Sequence, residues 1–445
     1  MTTSLTNHRI ILSAAIAFVL AAAVSYPVTA VAQQDMSLSK AIDIALEKNY
    51  DIRIIEKDVE VAETNNSWGA AGRLPTIDFS VSASGSQDFN DDNPDVTSGS
   101  LTPGVTLAWT LFDGHAISIR KDRFETLERI SRGNAAVVIE QTIQDVLLAY
   151  YTALLEQEKL GVLEEVMNLS YDRYQYVSTQ KELGSAVTYD LLQAKNAWLE
   201  DKANHMLQIV THRNAIRDLN YLMGVPEETD YRLTGELTPP INDYSFDTLL
   251  DRMFSDNTTL KNQFLYQSLL EKEINLAKSD YYPTLSLRTG VDATGSRRKV
   301  EGTDATTTRS AGAFTTLTLN FSLFDGGARK RAVKIARIDE EAGQIEIEEM
   351  KHSLSNQLAK LVNLYDVRKD LVSVADENLE AAQLNMQISG DKFRAGTINS
   401  FNYRDVQLIY LNASISRLNA VYNLIDSNTA LMRIIGGIIG GAVAP

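Results

Sequence analysis

The chain has 445 residues, 44% of them hydrophobic and 22% charged, the make-up of a folded protein. Its 42 Lys and Arg against 58 Asp and Glu leave a formal net charge of −16, which argues against nucleic acid as a partner. There is no cysteine, so disulfides, thiolate metal sites, cysteine nucleophiles and a lipid-modified N-terminal cysteine are excluded, and any attachment to a membrane has to come from the fold.

Residues 1–32 open with His8 and Arg9, continue through an apolar run from Ile10 to Val24 and end on Ala30-Val31-Ala32. That order predicts a cleaved secretory signal with Gln33 as the new N-terminus, and an exported mature chain. As a retained anchor the run is shorter than the ~20 residues a spanning helix needs. No later window is long and apolar enough to span a bilayer as a helix.

Beyond the signal the chain repeats itself. Leu111-Phe112-Asp113-Gly114 returns as Leu323-Phe324-Asp325-Gly326, an offset of 212 residues, and the same offset carries Gly184 onto Gly396 and Met223-Gly224 onto Ile435-Gly436. Upstream, Leu74-Pro75-Thr76 meets Tyr282-Pro283-Thr284 and Asn49 meets Asn257, both at an offset of 208. The expected organisation is a first repeat over 33–236 and a second over 237–445, ending in a Gly- and Ile-rich tail with no assignable role.

In chain order, each repeat begins with a helical segment, Leu38 to Leu74 and Ser245 to Tyr282. Alternating strands follow. Residues 76–83 and 104–111 form one hairpin, with Val105, Leu107, Trp109 and Leu111 on a single face; Leu285, Leu287, Val291 and then Leu317, Leu319, Phe321, Leu323 form the other. A sheet packed on helices would give the same alternation. Two features favour lipid: strands of ~8–11 residues, near the transmembrane length, and aromatics toward strand ends at Phe79, Trp109, Phe112, Phe314 and Phe324. Asp78, Arg288 and Asp292 then face a wet lumen. Four strands cannot close alone and open edges are not tolerated in hydrocarbon, so the barrel is expected to be shared; a dimer supplies eight strands and a trimer twelve.

No proline falls between Gly104 and Val225 or between Thr284 and Ala444, which permits very long helices. Heptad spacing at Leu192, Leu199 and Met206, and at Leu411, Leu418, Ile425 and Met432, fits long hairpins as well as an ordinary helical core. The rise from Asp113 to Gly184 amounts to ~107 Å. The expected return runs from Gly184 to Gly224 and resumes at Ser245; the second return, from Gly396 to Gly436, would take the N-terminal helix as its upper partner.

A signal, then two copies of helix, Leu/Tyr-Pro, hairpin, Leu-Phe-Asp-Gly and long helical hairpin, resembles the TolC family of outer membrane efflux proteins over residues 36–436. The resemblance implies a mainly α protein with membrane β: tandem long helical hairpins, and four strands per chain in a trimeric 12-stranded barrel above a ~100 Å tunnel in the periplasm. It implies an outer-membrane location and a passive exit duct for efflux or type I secretion, gated at its periplasmic tip. The implied partners are a homotrimer, a periplasmic adaptor, an inner-membrane transporter and outer-membrane lipid. The family's frequent Asn-Pro in the first helix of each half is Asn49-Tyr50 and Asn257-Thr258 here.

Relatives place acids near the second-half tip. Those positions fall on Asn402 and Asp405, so one carboxylate per chain remains, enough for a ring of three that favours cations. In the first half Asp190 holds the place of an acid in the tip network, and Gln193 answers Asp405. Asp405 also fits a solvated surface acid, and Asp190 a first-turn residue favoured by the helix dipole. Gly184 and Gly396 are expected at the tip turns beside adaptor contacts. The loop over 86–100 is acidic, with Asp91 and Asp92, and that over 295–310 basic, with Arg297 and Arg298; they are expected either to pair at the outer mouth or to stay independently solvated.

An exported hydrolase is the contrasting class, but His205 and His212 lie seven residues apart, too far for the four-residue zinc pairing, and Gly436-Gly437 lacks the lysine of a phosphate loop. No enzyme activity and no cofactor are expected. A periplasmic helical scaffold or adhesin would explain the heptads but not the four amphipathic strands. The cargo, whether drug, metal ion or protein, is not written in the sequence.

Overall fold

The computed structural model of the protein describes residues 34–89, 94–238 and 241–438. The expected signal peptide, Asp91, Asp92 and the last residues of the tail lie outside them. The first half runs β1 (Gln34–Met36), α1 (Leu38–Lys48), α2 (Tyr50–Asn65), β2 (Thr76–Asp88), β3 (Val96–Asp113), α3 (Ala116–Glu182) and α4 (Thr188–Met223). The second repeats it as β4 (Tyr231–Leu233), α5 (Phe246–Asp256), α6 (Thr258–Ser279), β5 (Thr284–Val300), β6 (Thr306–Asn320), α7 (Ala328–Arg394) and α8 (Ser400–Ile434).

The proline-free stretches become α3 and α7, 67 residues each, about 100 Å of continuous helix. Each begins at the Leu-Phe-Asp-Gly corner, and the aspartate explains why the motif recurs. Asp113 Oδ1 accepts from Ile117 N–H (3.1 Å) and the carboxylate pairs with Arg120; Asp325 accepts from the N–H groups of Gly327 and Arg329 (2.9 Å each) and pairs with Arg329. These bonds satisfy donors that a helix start leaves open. They hold the Asp325 carboxyl well down, at about 2, the Arg329 backbone donor being the largest cause.

α3 lies against α2 and α6 near the sheet and against α4 and α8 toward the far end, while α7 lies against α6 and α8. The helices therefore form one layer, ordered α2-α3-α6-α7 on the sheet side and α4-α3-α8-α7 on the other.

The two levels meet at joints built twice from the same residues. Asn49 (φ −56°, ψ 136°) and Asn257 (φ −57°, ψ 117°), in non-helical conformation, break the expected continuous segments into α1 and α2, and into α5 and α6. Each caps the helix that follows: Asn49 Oδ1 accepts from Asp51 N–H (2.8 Å), and Asn257 Oδ1 from Leu260 N–H (2.8 Å). Each also donates to the last turn of a return helix, Asn49 Nδ2 to Leu222 O (2.8 Å) and Asn257 Nδ2 to Ile434 O (2.9 Å). The returns therefore continue within their own halves, α4 into α2 and α8 into α6. This corrects the expected course, in which the first return resumed at Ser245 and the second took the N-terminal helix. Gly224 and Gly436 stand at the same joints with φ of +67° and +68°, where an added Cβ would overlap Lys48 O and Asp256 O.

The main core gathers at this level, with Met36, Ile143, Val146, Leu219, Met253, Leu358 and Leu424 buried together. Two buried tyrosines tie the linkers to the long helices. Tyr150 Oη donates to Met36 O (3.0 Å) and accepts from Gly235 N–H (3.1 Å); Tyr365 Oη donates to Asn242 O (3.2 Å) and accepts from Asn242 N–H (2.9 Å). Beside Tyr150, β1 and β4 pair in parallel, Met36 opposite Leu233.

Glu140 of α3 is buried at the second joint and accepts from Thr258 Oγ1 (2.5 Å). Burial pushes its pKa above the ordinary carboxyl value, opposed by the Thr258 hydrogen bond and by the charges of Arg433 and Lys261. A carboxyl raised in the folded state favours folding below its unfolded pKa, about 4.3, and loses that contribution as pH rises through the raised value. Glu140→Gln keeps the acceptor without the charge. It is expected to unfold at a higher temperature than wild type at neutral pH and at the same temperature near pH 4, as thermal scans at the two pH values will measure.

Candidate functional site

The sheet is antiparallel in the order β2-β3-β5-β6, and its outer strands β2 and β6 have no further partner among the described residues. Register sets its two faces. Ile77 lies opposite Leu107, Phe79 opposite Val105, Val105 opposite Val291, Trp109 opposite Leu287 and Leu287 opposite Leu317. This face is apolar and exposed in the single chain: Ile77, Phe79, Val105, Trp109, Val291, Leu317 and Leu319 are at least 40% accessible. The other face carries Asp78, Arg288, Asp292 and a hydroxyl ladder, with Ser84 bonded to Ser100 (2.8 Å), Ser86 to Ser98 (2.7 Å) and Thr102 to Thr294 (3.0 Å). An apolar face over a polar one is what lipid outside and water inside demand.

The strands are longer than expected, at 13, 18, 17 and 15 residues, because pairing continues past the apolar rows through the hydroxyl ladder. The aromatics are also placed differently. Trp109 and Phe112, and Phe79 as the fourth residue of β2, stand toward the helix-side end, but Phe314 lies on the polar face against Arg288, and Leu323 and Phe324 follow the end of β6. No helix among the described residues is long and apolar enough to cross a membrane.

Arg297 and Arg298, expected in a loop, lie within β5 and point to opposite faces; Asp91 and Asp92, their expected partners, lie outside the described residues. Arg297 is across from Gly99 and Arg298 from Ser98. Between the two hairpin tips Glu301 N–H donates to Asp95 O (2.8 Å) and Asp95 N–H to Glu301 Oε2 (3.5 Å).

At the far end the turns repeat atom for atom. Gly184 (φ +78°) and Gly396 (φ +74°) donate to Lys181 O and Phe393 O (3.0 Å each), and Ser185 and Thr397 donate to Gln180 O and Lys392 O (2.9 Å each). This is a left-handed glycine closing a helix. Asn402 and Asp405 sit one turn apart on the exposed side of α8, and Asp190 in the first turn of α4. Gln193 donates to Tyr189 Oη (2.9 Å) on its own helix. The single chain does not bring these four together.

What joins the helices at the tip is a different set, missed in the sequence. Arg404 of α8 is bidentate to Asp201 of α4 (2.6 and 2.8 Å), the carboxylate being only 3% exposed. Arg173 of α3, also 3% exposed, donates to Ser400 O at the start of α8 (3.1 Å). Burial pulls the Arg173 pKa down to about 10, Arg404 adding to the shift and Asp201 opposing it. Phe393 stacks on Tyr403 at 4.7 Å above this cluster. One carboxylate thus pairs with Arg404, and its charge partly offsets the burial of Arg173 nearby.

A half-exposed apolar sheet with free edges, carried on a ~100 Å layer of helices closed by tight turns, defines a protomer of an outer-membrane channel-tunnel. The family model described as outer membrane efflux protein matches residues 41–224 and 249–437, and the chain belongs to that family. It is an exit duct located in the outer membrane, with its helical part in the periplasm. No curated protein matches the sequence. Among solved structures the fold is shared with a membrane protein from Pseudomonas aeruginosa (16% identity, 91% of each chain covered, TM-score 0.72). It is shared also with CusC (16% identity, 90% of this chain and 92% of that one, TM-score 0.71). The Campylobacter jejuni CmeC outer membrane channel is similar again (15% identity, 90% and 85%, TM-score 0.69).

Proposed function

We propose that three copies of the chain form a passive, tip-gated exit duct that takes cargo from a periplasmic adaptor and an inner-membrane transporter and performs no chemistry itself. The observation that carries this reading is the sheet: the helix-side part of one face is apolar, both edges are open among the described residues, and one chain cannot close it in hydrocarbon. The helix layer supports it. At one edge Leu192, Leu199 and Met206 are exposed seven residues apart on α4, and at the other Ile338 and Ile345, and Val367 and Val374, on α7. Such stripes meet as coiled-coil seams between neighbouring protomers.

In this reading the tip is held at two places. Within each protomer Asp201 latches α8 to α4, and across protomers the exposed Asp405 carboxylates, with Asn402 one turn away, form a cation-favouring ring. Asp190 and Gln193 face the adjoining hairpins, and Gly184 and Gly396 mark the turns where the adaptor docks. Purified protein in planar bilayers, with oligomer mass taken on the same sample, tests this. A trimeric mass and a small cation-selective conductance are expected, and Asp405→Ala should raise the conductance and lower the selectivity. A soluble monomer without channels would remove the duct reading; channels indifferent to Asp405→Ala would leave the gate to the Asp201 latch alone.

A further inference from the structure

The membrane-facing side of the sheet does not end in neutral residues. Counting along β5, the mainly apolar rows run from Leu285, opposite Leu319, to Ala293, opposite Ala311, with the Thr289–Thr315 pair (2.9 Å) between them. That is about 26 Å along the strand, which tilt brings to somewhat less than the ~25 Å apolar band of such barrels. The next positions on the same face are Arg309, opposite Gly295, then Arg297, opposite Thr307 and Gly99, then Lys299, opposite Thr97. All three are exposed and share the lipid side with Val291 and Ala293, whereas Arg298 points into the lumen. Glu301, the next acid on that face, takes its contact from Asp95 N–H (3.5 Å).

Directly below this cationic row is a shallow, open depression of about 530 Å³, lined chiefly by Phe79, Val105, Val291, Ala293, Ala311 and Ala313, with Asp292 among the remaining lining residues. It exists because alanines occupy two adjacent strands between larger neighbours. An apolar hollow at bilayer depth capped by three cations at the interface matches a lipid with a phosphorylated headgroup. A soluble anion would use only the upper half.

We propose that the outer rim binds a phosphorylated glycolipid of the outer leaflet, of the lipid A type, with Arg297, Lys299 and Arg309 on its phosphates and one acyl chain in the hollow. This rests on the reading of the sheet as part of an outer-membrane barrel. Each base near an anionic surface contributes enough that losing three weakens binding on the order of 100-fold.

The test is titration of the detergent-purified trimer with lipid A, with bound lipid read by native mass spectrometry and conductance recorded on the same samples. R297Q/K299Q/R309Q should lose lipid A by about that factor while still forming channels, and R298Q should bind as wild type does. Ala311→Trp, filling the hollow with all charges kept, should also weaken binding. Equal binding by wild type and the triple variant, or equal competition by inorganic pyrophosphate and lipid A, would overturn the assignment. Absence of channels in wild type would instead overturn the barrel reading on which it rests.

Discussion

Asp201→Asn is expected to cost the tip about 3–5 kcal/mol and to raise single-channel conductance, because it breaks the Arg404 ion pair and removes the negative charge that opposes the burial of Arg173. In the wild type both Asp201 oxygens are held by Arg404, and Arg173 lies close enough for its charge to be felt. With the carboxylate neutralised, Arg404 and Arg173 repel each other in a site too dry to screen them. The cheapest relief is for α8 to swing from α3 and α4, which loosens the hairpin. Arg173→Met in the same background should recover part of the stability, since it removes the repulsion rather than the attraction, and a double-mutant cycle reads that coupling. Urea unfolding and planar-bilayer recordings check both effects. An Asp201→Asn protein as stable and as closed as wild type would show that the pair does not hold the tip.

Gly436→Ala should be the most damaging conservative change in the second half. At φ +68° a side chain costs about 1–2 kcal/mol, and here the added Cβ also overlaps the backbone oxygen of Asp256. Because that oxygen ends α5 beside the Asn257 cap, the strain goes straight to the α6-to-α8 joint, for a total of about 3 kcal/mol or more. Gly396→Ala is the control: φ is +74°, nothing lies within 4 Å of the new atom, and the loss should stay near 1–2 kcal/mol. Thermal unfolding of the two variants side by side separates overlap from conformation. Equal losses would mean the joint tolerates the extra atom.

The duplication made much of the architecture readable. Leu-Phe-Asp-Gly, the tip glycines and the alternating strands are local features whose physics acts over a few residues, so their spacing and recurrence announced them. The joints were half readable. Asn49 with Asn257, and Gly224 with Gly436, recurred, but pairing each asparagine with the glycine of its own half needed the hydrogen bonds to Leu222 O and Ile434 O. The Asp201 latch gave no such signal. At an offset of 212 Asp201 falls on Ala413, Arg404 on Leu192 and Arg173 on Asn385, so the cluster breaks the repeat where the two tip hairpins differ.

By itself the sequence determined the two halves, the long helices and the four amphipathic strands, because periodicity, proline placement and capping chemistry are encoded over short distances. The tertiary structure decided which return helix continues into which upper helix, how far the strands extend, and that Arg297 and Arg298 serve opposite faces. It also decided that Asp201 and Arg173 tie α8 to α4 and to α3 at the tip. These depend on register and on contacts between residues up to two hundred positions apart, where burial and charge act only once the chain has brought the partners within bonding distance.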